Sequence, residues 1–110
     1  MKISIVTPTY NEKENIERLV KGLFNDCHGL YVELIIVDDN SPDGTGKLAE
    51  ELAKKHNIKV IHRSGKLGLS TAVIEGWKAA NGDVLGVMDA DLSHPTSKVP
   101  ELINAIIKDD

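Results

Sequence analysis

Leu34-Ile35-Ile36-Val37-Asp38-Asp39-Asn40-Ser41-Pro42-Asp43-Gly44 sets the architecture of this chain. Its first four residues are apolar on both faces of any strand they form, which marks a central strand of a parallel sheet. The polar residues that follow are a dense turn signal. The spacing therefore predicts a strand from Val32 to Val37 that delivers Asp38 and Asp39 at its carboxyl end.

Working outward, Lys2 to Thr7 is read as a first strand stopped by Pro8. A helix follows from Asn11, where Asn11-Glu12-Lys13-Glu14 fits a relaxed capping box. Ile16, Leu19, Val20, Leu23 and Phe24 lie on one face of it, and Gly29 closes it. Beyond the turn, a helix from about Thr45 to His56 turns Leu48, Ala49, Leu52 and Ala53 inward. Ile58 to His62 is a third strand. Ser64-Gly65-Lys66-Leu67-Gly68 reads as a glycine-containing loop, and Ser70 as the cap of a third helix with Val73, Ile74, Trp77 and Ala80 inside. Asn81-Gly82-Asp83 opens a fourth strand that ends at Met88. A last helix runs near Val99 to Lys108, with Pro100 in its first turn and Leu102, Ile103, Ala105, Ile106 and Ile107 at its apolar positions.

The order β-α-β-α-β-α-β-α, with short connections and right-handed crossovers, predicts an α/β fold with a mostly parallel sheet and helices on both faces. The expected strand order is 3-2-1-4, which puts the switch point between the first and fourth strands.

Size and composition narrow the function. The 110 residues suffice for one small core, and a 41% hydrophobic content argues against disorder. A net charge of −4 and only four aromatic residues (Phe, Trp, Tyr) disfavour nucleic-acid partners. The single cysteine, Cys27, suits a reducing compartment. No signal-peptide pattern and no apolar run near the ~20 residues of a membrane span are present, so a cytoplasmic location is expected.

Three strand ends share one rim. The first strand brings Pro8, Tyr10 and Glu12, the second Asp38 and Asp39, and the fourth Asp89 and Asp91. So many carboxylates repel one another unless a cation or proton intervenes, and a bound metal is the natural resolution. The expected ion is hard and oxygen-liganded, Mg²⁺ or Mn²⁺, with phosphate oxygens completing its shell. A D-x-D alone is weak, since about one is expected in a chain this acidic; its place just past a strand carries the weight. Asp39 is suited to accept a nucleobase N–H, with Pro8 and Tyr10 flanking the base and Val37 as an apolar wall. Asp38, Asp43 and Asp83 are read first as turn formers. Lys66 is read as a solvated lysine in a loop that could meet a phosphate; the four histidines show no metal-ligand spacing, and His94, beside Asp91, is the one to watch for a role near the metal.

Ser4-Ile5-Val6-Thr7-Pro8-Thr9-Tyr10-Asn11-Glu12, Ile36-Val37-Asp38-Asp39-Asn40-Ser41-Pro42-Asp43-Gly44-Thr45 and Met88-Asp89-Ala90-Asp91-Leu92-Ser93-His94-Pro95 resemble three successive motifs of the inverting GT-A glycosyltransferases of family 2. The Gly65-Lys66-Leu67-Gly68-Leu69 loop and the Asp-Ala-Asp-Leu-x-His-Pro run resemble, more narrowly, the dolichol-phosphate mannosyltransferases and related polyprenyl-phosphate glycosyltransferases. The resemblance implies a Rossmann-like GT-A fold and a nucleotide-sugar donor, GDP-mannose, with a divalent cation. It implies nucleoside contacts from Pro8, Tyr10, Glu12, Val37 and Asp39. Asp89, Ala90 and Asp91 would hold metal and diphosphate, which makes Asp89 and Asp91 the catalytic pair. Ser93 stands where the mannosyl subgroup usually has a Gln metal ligand, and its shorter hydroxyl is expected to act through water.

The resemblance further implies that residues 1–110 are the donor-binding N-terminal part of a longer enzyme. The acceptor would be a polyprenyl phosphate, met by the full-length protein peripherally at the cytoplasmic membrane face. Apolar surface left by a missing partner half makes self-association an expectation. The rival reading is a two-component receiver domain phosphorylated on Asp89, because Leu34 to Asn40 is similar to such a domain's acidic pocket. A haloacid-dehalogenase-type phosphatase is a weaker rival.

Overall fold

The computed structural model describes residues 2–64, 68–92 and 95–108, with side chains of the last helix described through residue 105. Lys66, Ser93 and His94 lie outside the described residues, as do the side chains of Ile106 and Ile107. The elements are β1 (Lys2–Thr9), α1 (Lys13–Asp26), β2 (Tyr31–Asp38), α2 (Thr45–Ala53), β3 (Ile58–His62), α3 (Leu69–Ala79), β4 (Val84–Val87) and α4 (Lys98–Lys108). All neighbouring strands are parallel, in the expected order β3-β2-β1-β4.

Residues 32–39 are all buried, as a doubly covered strand requires. On one face Ile3, Ile5, Leu34 and Ile36 meet Ile16, Leu19 and Leu23 of α1 and Leu52 of α2. Each such fully buried side chain is worth about 2 kcal/mol relative to exposure. The other face is smaller: Val6, Ile35 and Val37 meet Ala72 of α3.

Three local expectations are corrected. β1 runs two residues past the expected stop, through Pro8 to Thr9. The ladder tolerates Pro8 because of where its missing N–H would point. Asp39 N–H donates to Thr9 C=O (3.1 Å), so odd-numbered residues of this stretch bond toward β2. Met88 N–H donates to Val6 C=O (3.0 Å), so even-numbered residues bond toward β4, and the β1–β4 pairing ends at Val6 opposite Val87. Pro8 faces the side where its partner strand has already stopped, a place proline can occupy.

Second, Asn11 does not cap α1. The helix begins at Lys13, Glu12 is the boundary residue, and Asn11 adopts a left-handed φ of 55°. Ser70 likewise does not cap α3; it lies inside a helix whose boundary residue is Gly68, at φ 105°.

Third, the inward face of α3 is not its bulky one. Ile74 and Trp77 are 49% and 40% exposed, while Ala72 and Gly76 press on the sheet. A Cβ on Gly76 would lie 2.5 Å from Val6 Cγ1, so only a glycine lets the helix come this close. On α4, Ile103 is buried as expected and Val99 is buried with it, but Leu102 and Ala105 are exposed.

Candidate functional site: the carboxyl rim of the sheet

The rim is assembled by strand register. Thr9 pairs with Asp38, and Val6 with Val87. Asp89 therefore follows two residues past the last paired residue of β4, about level with Pro8. Adjacent strands lie about 4.8 Å apart, so the ends of β2 and β4 stand about 10 Å apart on the same edge, with β1 between them.

At the β2 end, Asp38 and Asp39 part company. The Asp38 carboxylate is buried and accepts the hydroxyls of Thr9 (2.7 Å) and Ser41 (2.6 Å) and the Ser41 N–H (3.1 Å). It is a turn former, as its sequence context suggested, and so are Asp43, which accepts from Lys13 and Thr45, and Asp83, which accepts the Lys2 N–H at 3.0 Å.

Asp39 is built into a different arrangement. Arg63 follows β3 immediately, and its N–H donates to Asp38 C=O at 2.8 Å, which carries the β2–β3 ladder past the strand end. Its guanidinium then reaches both oxygens of Asp39, through Nε to Oδ1 and through Nη2 to Oδ2 at 2.8 Å. The same guanidinium donates to Thr71 Oγ1 (2.9 Å) and Gly68 C=O (3.0 Å), with Glu75 at 3.8 Å. The hydrogen bonds to Asp39 outweigh burial and, with the charges of Asp39 and Glu75, hold the Arg63 pKa above its ordinary value. A fork-to-fork pair of this kind is geometrically rigid.

Above the pair lies a recess of about 180 Å³ bounded by Pro8, Thr9, Tyr10, Glu12, Asp39, Gly68, Leu69 and Ala72. Pro8, Tyr10, Glu12 and Asp39 are thus brought together as expected. Val37 is not at the surface of this recess; it is fully buried below it, beside Ala72. One contributor was missed from the sequence: Arg63, which carries the same signal as the acids, a charged residue just past a strand's carboxyl end.

At the β4 end, burial alternates. Met88 and Ala90 are buried and Leu92 packs against the larger core, whereas Asp89 and Asp91 are exposed. The inward residues hold the loop and the outward ones present carboxylates at the rim. The repulsion expected among the rim carboxylates is met at the β2 end by local partners. Asp38 is satisfied by hydroxyls and Asp39 by Arg63, so their repulsion is relieved locally. Among the described residues, no group of three or more His, Cys, Asp or Glu is placed to hold a metal ion. The residues still fit a divalent cation of the kind that keeps an open shell: Asp89 and Asp91 are hard oxygen donors, and a phosphate-bearing ligand with waters would supply the remainder.

A recess and a carboxylate edge at the carboxyl ends of parallel strands, beside the switch point, define an open α/β protein with its crevice at the expected ligand edge. Residues 4–110 match the family model described as glycosyl transferase family 2, and the chain belongs to that family. It is 53% identical over 106 residues to the dolichol-phosphate mannosyltransferase of Pyrococcus furiosus, across 96% of this chain and 30% of that protein. It is 40% identical over 110 residues to the dolichol-phosphate mannosyltransferase of Saccharomyces cerevisiae, across 96% of this chain and 41% of that one. Glucosyl-3-phosphoglycerate synthase from Mycobacterium tuberculosis, solved with Mn²⁺, UDP and glucosyl-3-phosphoglycerate, superposes with a TM-score of 0.73 at 28% identity, over 96% of this chain and 39% of that chain.

The chain spans 30–41% of the length of these two curated relatives. The GT-A arrangement implied by the resemblance is the one found. The receiver-domain alternative finds no support: β1, which a receiver beginning at β2 would lack, is a central strand, and the matched family is one of transferases.

Proposed function

We propose that this chain binds the nucleotide-sugar donor GDP-mannose, and that the longer protein transfers the mannosyl group to a polyprenyl phosphate. The observation that carries this reading is the common rim, with the Asp39 recess on one side of β1 and Asp89 and Asp91 on the other. The two relatives named as dolichol-phosphate mannosyltransferases support the sugar and the lipid class. A structural relative solved with Mn²⁺ and UDP supports a nucleotide and a divalent ion.

The resemblance supplies the following roles, and the shared rim supports them. Pro8 and Tyr10 flank the base. Arg63 takes up two of the roughly four lone-pair directions of the Asp39 carboxylate, which leaves others to accept base N–H groups. Guanine offers two such donors on one edge, N1–H and N2–H, and so suits a carboxylate better than the single N3–H of uracil. Glu12 closes the recess on the ribose side. Asp89 and Asp91 would hold the ion, the backbone at Ala90 would meet the diphosphate, and Ser93 would act through water. When bound, Mg²⁺ or Mn²⁺ supplies Lewis-acid stabilisation of the departing diphosphate. The acceptor phosphate is already anionic near neutral pH. Its oxygen attacks the anomeric carbon as the bond to the diphosphate breaks, with inversion and without a strong general base. The lipid acceptor would place the longer protein at the cytoplasmic membrane face.

Calorimetry of GDP and UDP, with Mn²⁺ and with a chelator, tests this. GDP is expected to bind more tightly than UDP, and Mn²⁺ to add affinity that Asp91→Ala removes. Asp39→Ala is expected to weaken GDP with and without the ion. Unchanged GDP affinity in Asp91→Ala would remove the metal assignment. Equal binding by Asp39→Ala and the parent would remove the base contact, and tighter UDP would replace the donor.

A further inference from the structure

The turn between β2 and α2 reaches across to the β1–α1 connection. Three consecutive backbone N–H groups of that connection donate to its side chains: Asn11 to Ser41 Oγ (2.9 Å), Glu12 to Thr45 Oγ1 (2.9 Å) and Lys13 to Asp43 Oδ2 (3.1 Å). Such N–H groups at a helix start have no partner within the helix. Here the partners come from a segment about 30 residues on in the chain.

The acceptors are themselves oriented. Ser41 gives its hydroxyl hydrogen to Asp38 (2.6 Å) and Thr45 gives its own to Asp43 Oδ1. A hydroxyl has one hydrogen and two lone pairs, so each of these oxygens is left as an acceptor toward the N–H that meets it. Burial opposes the charge on Asp43, but the bonds from Thr45 and Lys13 outweigh it and hold the carboxyl below its ordinary range. Gly44, at φ 94°, lets the turn present all three acceptors, and Thr45 is fully buried. The residues so pinned lie among or beside Tyr10 and Glu12, which form one wall of the recess.

We propose that Asp43 and Thr45 are positioning residues for the nucleoside recess, setting its affinity by fixing the Tyr10–Glu12 wall without touching the ligand. The proposal rests on the nucleoside reading above. An unpinned wall spends only part of its time in the competent shape, and apparent affinity falls by that fraction.

The test uses the 110-residue chain with GDP and a chelator, read by calorimetry, together with amide hydrogen exchange at Glu12 without ligand. Thr45→Val, which keeps the shape and loses the acceptor, is expected to weaken GDP about fivefold and to speed exchange at Glu12. Thr45→Ser, which keeps the hydroxyl, is expected to restore both to within about twofold of the parent. Tyr10→Ala is expected to weaken GDP and leave Glu12 exchange alone. Should Thr45→Val prove unfolded, Asp43→Ala removes the acceptor of the neighbouring Lys13 N–H, and exchange is then read at Lys13 beside GDP affinity. Faster Glu12 exchange with parental GDP affinity would overturn the proposal. So would equal losses in Thr45→Ser and Thr45→Val, or unchanged exchange in Thr45→Val. Absence of GDP binding by the parent, or no effect of Tyr10→Ala, would overturn the nucleoside reading and the proposal with it. The exchange data would then still show whether the turn pins the wall.

Discussion

The α3 face of the sheet carries an acid–base pair at each end, and the same two strands build both. At the amino end, Glu33 of β2 meets Lys59 of β3 at 3.1 Å. At the carboxyl end, Asp39 just past β2 meets Arg63 just past β3. Each pair also ties down one end of α3. Lys59 donates to Ala79 C=O (2.8 Å) at its finish, and Arg63 to Gly68 C=O (3.0 Å) at its start.

The difference lies in what is left over. Glu33 is 1% exposed and takes the Ser4 hydroxyl and the Asn81 N–H (2.9 Å), while Ser4 Oγ takes the Gly82 N–H (2.8 Å). A Cβ on Gly82 would sit 2.7 Å from the Ser4 backbone nitrogen, so that end is sealed. Asp39, by contrast, opens onto the recess. The same charge arrangement is closed off where its acceptors are filled and borders a recess where it meets the rim.

The largest expected effect comes from breaking the open pair. Arg63→Met should cost about 3 kcal/mol in urea unfolding, because it leaves the Asp39 carboxylate buried without a cation, and GDP affinity should fall at least tenfold. Parental stability in that variant would show that the pair does not secure the start of α3. Next comes the sealed end. Glu33→Gln should cost about 1.5 kcal/mol at neutral pH with GDP affinity unchanged, which separates the closed-off end from the end that borders the recess.

That second loss should depend on pH. Burial raises the Glu33 pKa, but the Asn81 N–H, the Ser4 hydroxyl and Lys59 together outweigh it, and the net direction is down from the ordinary 4.5. A lowered folded-state pKa stabilises fully above the unfolded-chain value, and the contribution is lost as pH falls through the lowered value. The gap between parent and Glu33→Gln should hold at neutral pH and close below about 4.5. A gap that widens on acidification would reverse the assignment. The smallest effect belongs to Lys59→Met, at about 0.5 kcal/mol, since its ammonium is partly in water.

The parts of this molecule that announce themselves in the sequence are those where one residue's environment is fixed by its own strand. Leu34 to Val37 had to be a central strand, because burial on both faces leaves no polar position. Asp89 and Asp91 could be placed because they follow an apolar run at the expected ligand edge. Trp77 was misread because an amphipathic reading counts bulk, whereas α3 approaches the sheet through Ala72 and Gly76. Arg63 stands just past the end of β3, the same kind of position that marks the acids, so its place was legible while its partner was not. The bonds from Ser41, Asp43 and Thr45 to residues 11–13 join segments far apart in the chain, and no window of sequence contains both.

Pro8 has a consequence for the acids one strand away. The next rung between β1 and β4 would run from an N–H at position 8 to the Met88 carbonyl, and an imino ring has no hydrogen to give. With such a donor, β4 could zip onward and commit Asp89 to the pleat, where alternate residues stand a fixed ~6.6 Å apart along the strand. Proline stops the zip one rung short. The interval between the two acids is therefore set by the turn at 90–91 and not by the pleat.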